Sequence, residues 1–239
     1  MIPAAQHPSR PGAPWGDPAR SSSGATAPMV PHARRRDHRA PRRHGKENMS
    51  VNLAKGGNVS LSKQAPNLTK IAVGLGWDVR TTVGADYDLD ASALATGPDL
   101  LVLSDQHFVF YNNLRSPEGS IEHTGDNVTG EGDGDDEVIN VDLANTPETI
   151  TNIFFPVSIH DADQRGQSFG QIRNAYIRVV DLNTGAELAR YDLSEDASSE
   201  TAMVFGELYR RQGEWKFRAI GQGYASGLAG IARDYGVNV

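Results

Sequence analysis

Cysteine is absent from the 239 residues, so disulfides and thiolate metal ligation are excluded at once. Long apolar runs are missing too. None approaches the roughly 18 residues that a membrane span needs. The N-terminal region lacks the apolar stretch of a secretory signal. A cytoplasmic protein is the default expectation, with membrane association left to a partner. Positive charge is scarce over most of the chain, and where it is found is informative.

Residues 1–48 hold nine Lys and Arg against three acids, a net +6, although the whole chain carries −7. Residues 49–239 therefore carry −13, which argues against general nucleic-acid binding. The first 48 residues also hold eight of the thirteen prolines and few large apolar side chains. Such a segment cannot bury enough apolar surface to offset its ordering entropy, so it reads as a disordered basic extension. Met49-Ser50-Val51-Asn52-Leu53 has the look of a domain start, which makes 1–48 an extended or mis-assigned beginning. Arg34–Arg36 and Arg42–Arg43 could otherwise meet an anionic surface.

Residues 49–239 are long enough for one domain with a full core. Their apolar segments are short and rich in Val, Ile and aromatics. Candidates are 71–77, 100–103, 108–111, 138–143, 150–159, 175–180, 188–193, 203–210 and 215–220. In 138–143, Ile139, Val141 and Leu143 alternate with Val138, Asn140 and Asp142, which is the period of a half-buried strand. Hairpins are expected at Asp181–Gly185 and Arg211–Glu214, where a glycine supplies the positive φ of a tight reversal. The fold class is all-β, a sandwich of short antiparallel strands with one or two short helices. Helices are expected at 146–150, with Thr146 as cap and Pro147 in the first turn, and at 226–234. Trp77, Phe108, Phe110, Tyr176, Trp215 and Phe217 read as core.

Acid is plentiful, and it is concentrated. Residues 126–137 contain six carboxylates, no basic residue, and glycines at 130, 132 and 134. Crowded like charges raise one another's pKa, and a divalent cation relieves that repulsion. Glycines let the chain curl so that several oxygens converge. Calcium accepts six to eight oxygens in flexible geometry, magnesium demands a stricter octahedron, and zinc prefers His or Cys. An EF-hand is excluded, because its third and sixth positions would be Val128 and Glu131. The bland alternative is a solvated acidic turn. A second cluster, Asp86, Asp88 and Asp90, has acids at every second position and would share one face if extended, with Tyr87 and Leu89 on the other. Its bland alternative is a charged sheet edge that resists aggregation.

These clusters and their surroundings resemble the TerD tellurium-resistance family. The matching pieces are Val73-Gly74-Leu75-Gly76-Trp77-Asp78, Asp88-Leu89-Asp90-Ala91-Ser92-Ala93, Phe110-Tyr111-Asn112-Asn113-Leu114, and His123-Thr124-Gly125-Asp126-Asn127 running into Gly130–Glu137. Ile159-His160-Asp161-Ala162, Phe169-Gly170-Gln171, Asn174-Ala175-Tyr176-Ile177-Arg178-Val179, Tyr191-Asp192-Leu193, Glu207-Leu208-Tyr209-Arg210-Arg211 and Gly221-Gln222-Gly223-Tyr224 follow in order. The resemblance spans 49–239 and omits 1–48. It implies a single β-sandwich holding two calcium ions close together. The candidate ligands it carries over are Asp126, Asn127, Glu131, Asp133, Asp135, Asp136 and Glu137, with Asp88 and Asp90 from the earlier motif and Asp78 and Asp86 beside them. Some of these must orient others rather than touch metal. The resemblance further implies resistance to tellurium and other stresses, no catalytic activity, and a sensing or scaffolding role in a membrane-associated complex of stress proteins.

Other chemistry finds little support in the residues. Gly223-Tyr224-Ala225-Ser226-Gly227 has the wrong spacing for a nucleophile elbow. Gly130, Gly132 and Gly134 lack the Lys-Ser/Thr of a phosphate loop. The competing function is a metal-assisted hydrolase with His160 as general base. The absence of cysteine argues against direct thiol chemistry on tellurite.

Overall fold

The computed structural model describes residues 50–77, 87–125, 134–193 and 199–239. The expected disordered extension, 1–48, lies outside the described residues. In chain order the strands are β1 (Val51–Asn52), β2 (Asn58–Ser60), β3 (Lys70–Gly76), β4 (Leu89–Ala91), β5 (Ala93–Thr96), β6 (Phe108–Val109), β7 (Ile121–His123), β8 (Glu137–Asp142), β9 (Asn152–Ile159), β10 (Tyr176–Asp181), β11 (Glu187–Asp192), β12 (Ala202–Arg211) and β13 (Glu214–Tyr224). Among the described residues three short α-helices accompany them, α1 (Leu61–Gln64), α2 (Ala162–Arg165) and α3 (Gly227–Asp234), with 3-10 turns at Asp105–His107 and Phe169–Gln171. One sheet has the order β1-β11-β10-β3-β8-β7. The other runs β2-β13-β12-β9-β5-β6, with β4 also paired to β9. All pairings are antiparallel except β1 with β11. This is the expected all-β sandwich.

The larger core lies between the sheets. Val73, Ile139, Val141, Ile177 and Val179 of the first sheet meet Phe155, Val157, Phe205 and Phe217 of the second. A smaller core lies on the opposite side of the second sheet, where Ile231, Ala232 and Val237 cover Leu94, Phe108, Phe154 and Val204. The two cores explain the two kinds of strand. Strands β8 and β10 face one core only and alternate along their length. Strands β9 and β12 have apolar neighbours on both faces, so Ile153–Val157 and Ala202–Phe205 read as unbroken buried runs. Pro156 is tolerated within β9 because β12 bulges opposite it, and because β4 gives way to β5 at Ser92. Ser92 N–H donates to the Pro156 carbonyl at 2.8 Å.

Both expected hairpins form. At the β12–β13 turn Gly213 has φ 76°, and Gln212 joins it at 55°, the pair of positive angles that a twisted two-residue hairpin requires. At the β10–β11 turn the Asp181 carboxylate accepts from Asn183 N–H at 2.9 Å and from Thr184 Oγ1 at 2.8 Å. The C-terminal helix forms as α3. The helix expected at 146–150 does not form. Ile150 N–H reaches only the Pro147 carbonyl, and the next amide, Thr151, is already paired to Thr96 in the sheet. Residues 100–103 are not a strand either. Leu100 turns at φ 63° with its N–H on the Gly97 carbonyl, and only Val102 bridges to Thr96. Helices α1 and α2, one turn each, have no periodic signal. Tyr176, expected in the core, instead lies on the outer face of its sheet under Arg190, whose guanidinium carbon sits 3.6 Å above the ring centre.

Candidate functional site

The described end of the 126–137 segment, Gly134–Glu137, lies where β3, β7 and β10 come together at the start of β8, and Ala91 of β4 touches it. Strand pairing dictates this. Leu75 of β3 opposes Glu137 of β8, Gly74 of β3 opposes Arg178 of β10, and His123 of β7 opposes Ile139. Glu137 therefore shares the inward face with Ile139 and Val141. It is 1% exposed. Its Oε2 accepts the N–H of Ala91 from β4, which ties the first sheet to the second. Beside it lies His123, 3% exposed, with Nε2 3.2 Å from the Ala91 carbonyl and 3.7 Å from Glu137 Oε2. Gly125 N–H donates to His123 Nδ1 at 3.2 Å, which leaves Nε2 as the ring nitrogen that can donate to the Ala91 carbonyl.

The two residues before Glu137 go elsewhere. Asp136 Oδ2 accepts from Trp77 N–H at 3.0 Å, while Asp136 N–H donates to the Leu75 carbonyl at 2.8 Å. The root of the 126–137 segment is thus fastened to Trp77 and Leu75, at the end of β3. Asp135 turns to the outer face of the first sheet. Its Oδ1 accepts from Arg178 Nε at 2.7 Å and from the Tyr176 hydroxyl at 3.1 Å. That hydroxyl also lies 3.0 Å from the Gly134 carbonyl, and Arg178 Nη1 reaches Glu187 at 3.3 Å. The hydrogen bond to Asp135 raises the Arg178 pKa above its ordinary value. Burial, followed by the Asp135 charge, raises that of the Tyr176 phenol. Two glycines make room for this layer. A Cβ at Gly74 would lie 2.0 Å from Asp135 Oδ2, and one at Gly76 would lie 2.4 Å from the Tyr176 ring.

Asp88 and Asp90 are 8% and 6% exposed, which does not match a solvated charged edge. The expected opposition of acids to Tyr87 and Leu89 is incomplete, since Asp88, Leu89 and Asp90 are all buried. Leu89 and Ala91 belong to the core between the sheets, so Asp90 faces the other side of β4. There it lines an open cleft of about 330 Å³ with Tyr111, His160, Asp161 and Asp163. His160 Nδ1 is 3.7 Å from Asp90 Oδ2, its Nε2 is 3.7 Å from Asp161 Oδ2, and its N–H donates to the Asp88 carbonyl at 2.8 Å.

The structure therefore gives the described candidates separate surroundings. Glu137 is interior, Asp136 is bound to the Trp77 amide, Asp135 lies on the outer face of one sheet, and Asp90 on the outer face of the other. Among the described residues no three His, Asp or Glu side chains converge as metal ligands would. Asp78, Asp86, Asp126, Asn127, Glu131 and Asp133 lie outside the described residues. The donor chemistry suits a hard cation: carboxylates and an amide oxygen in the segments, with imidazole only at their margin. His123, Tyr176 and Arg178 stood within the motifs of the resemblance, but the sequence alone assigned them no role at the site. The alternation of Ile121 with His123 was the available signal for the first, and the roles of the other two come from the pairing of β10 with β3.

The fold and its gathered acids define a class of acid-rich β-sandwich. A family model described as the TerD domain matches residues 49–235. Tellurium resistance protein TerD of Serratia marcescens is 60% identical over 190 residues, covering 80% of this chain and 99% of the relative. General stress protein 16U of Bacillus subtilis (strain 168) is 51% identical over 192 residues, covering 80% of this chain and 100% of the relative. The crystal structure of a homologue of telluride resistance protein (TerD) from Streptomyces coelicolor A3(2) superposes with a TM-score of 0.58 at 25% identity. It covers 70% of this chain and 96% of that one. The chain belongs to the TerD family of tellurium-resistance and stress proteins. No helix among the described residues is long and apolar enough to cross a membrane.

Proposed function

We propose that this protein is a calcium-binding, non-catalytic stress-response module that holds two calcium ions between its acidic segments. The observation that carries the reading is the charge of residues 126–137, six carboxylates without a basic residue, joined to a root whose every described residue is fastened. Asp126, Asn127, Glu131 and Asp133, with Asp88 and Asp90 of the earlier motif and Asp78 and Asp86 beside them, are the residues that would hold the ions, and Asp136 and Glu137 would orient the segment. Calcium, when bound, supplies the positive charge that lets these carboxylates lie together. The chain's own part is to preset the segment ends: Asp136 on the Trp77 amide and Glu137 on the Ala91 amide leave less to be ordered on binding.

Binding only to the folded form stabilises it, by about 2.7 kcal/mol at a hundredfold excess over the dissociation constant. A micromolar constant fits a sensor whose occupancy changes, and a nanomolar one fits a permanently loaded scaffold. The partners that suit either role are other proteins of a stress complex at the membrane, with the module itself cytoplasmic. Calorimetric titration of the full chain with calcium and with magnesium tests the reading, and failure to take up calcium rejects it. A second reading is metal-assisted hydrolysis with His160, which lines an open cleft, as base. Phosphoester turnover that His160→Ala abolishes would establish it.

A further inference from the structure

We propose that Asp135 is not a calcium ligand, and that with Arg178 it positions the acidic segment by pinning its root to the outer face of the first sheet. This rests on the calcium reading above. The geometry separates Asp135 from its acidic neighbours. One of its oxygens already accepts two hydrogen bonds, from Arg178 and Tyr176, and the other lies against the backbone of Gly74. The carboxylate keeps only 10% of its exposure. Gly74 and Gly76 are two glycines at alternate positions of one strand, where glycine weakens the sheet. Both sit where any side chain would strike Asp135 or Tyr176. The strand thus carries a trench into which the segment root is laid, and Arg178 closes it, braced in turn by Glu187. Charge-assisted bonds of this kind fix direction as well as distance. Asp136 and Glu137, next in the chain, then reach the Trp77 and Ala91 amides from a fixed starting point.

The proposal has a sign that electrostatics alone would reverse. Removing the Arg178 cation from an acidic region should strengthen the binding of a divalent cation, whereas removing a positioning residue should weaken it. The test is calcium titration calorimetry on the full chain as wild type, Arg178→Gln, Asp135→Asn and the double variant. It is paired with amide hydrogen exchange of residues 134–137 in chelator. Each single variant is expected to lower calcium affinity about tenfold, the double variant no further, and all three to speed exchange at 134–137. Tyr176→Phe, which removes only the phenol bonds, should give the same signs at smaller size and guards against misfolding. Loss of affinity in Asp135→Asn with equal or tighter binding in Arg178→Gln overturns the proposal, because Asp135 would then be a ligand. A wild type that takes up no calcium rejects the calcium reading, and exchange then decides alone: unchanged rates at 134–137 overturn the pinning.

Discussion

The two acidic motifs use their carboxylates differently. In the motif on β4, Asp88 and Asp90 belong to one short extended run, and both are buried beside the end of β9, where the His160 amide meets the Asp88 carbonyl. At the start of β8, three consecutive acids part ways: Asp135 to Arg178, Asp136 to the Trp77 amide, Glu137 into the interior. The contrast shows that neighbouring acids need not share surroundings. Counting carboxylates finds the region, while strand register decides what each of them touches.

The sharpest way to break this contrast is Glu137→Ala. It strips a fully buried side chain from between the sheets and leaves the Ala91 N–H without its acceptor. Urea denaturation in chelator should show a loss of about 3 kcal/mol. An equal loss from Asp135→Ala would erase the distinction between interior and outer-face acids. Calcium comes next. With about 2.7 kcal/mol at a hundredfold excess over its dissociation constant, it should raise the melting temperature by roughly 5–10 °C over a chelator control. Gly74→Ala should cost about 2 kcal/mol, because Asp135 must move off the strand, and it should lower the thermal midpoint in chelator too.

The smallest effect lies at the far end of β8, where Asp142 meets Lys70 at 3.2 Å. Burial alone would raise the pKa of this carboxyl. Hydrogen bonds from Asn145 and Lys70 outweigh that and hold it below the ordinary carboxylate value. A depressed folded pKa contributes stability above the unfolded value and loses it as pH falls through the folded one. Because Lys70 is exposed, the contribution is small. Asp142→Asn should therefore lower stability at neutral pH slightly and flatten the acid limb of the profile below about pH 4 by the same small amount.

Much of the sandwich was legible because its strands follow elementary periods. The alternation from Ile139 to Leu143 placed Val138, Asn140 and Asp142 on the outer side, and both glycine-bearing turns close hairpins. What failed did so for non-local reasons. Thr146 and Pro147 have the chemistry of a helix start, but Thr151 is claimed by the sheet before a second turn can form. Leu100–Leu103 is apolar enough for a strand, yet Gly97-Pro98-Asp99 folds it into a turn. Strands β1 and β2, two and three residues long, are too short to show a period. The acidic region was visible in charge alone. The separate surroundings of Asp135, Asp136 and Glu137 were not, since they depend on which strands flank β8. Tyr176 looked like core for the same reason: an aromatic in an alternating strand reads as buried until a neighbouring arginine and a facing glycine are known.

Calcium titration of chelator-treated full-length protein, followed by calorimetry, tests the central claim most directly. The account predicts saturable uptake of two ions per chain. Absence of any calcium-dependent heat from the folded protein would contradict it and leave a sandwich whose acidic segments serve some other end.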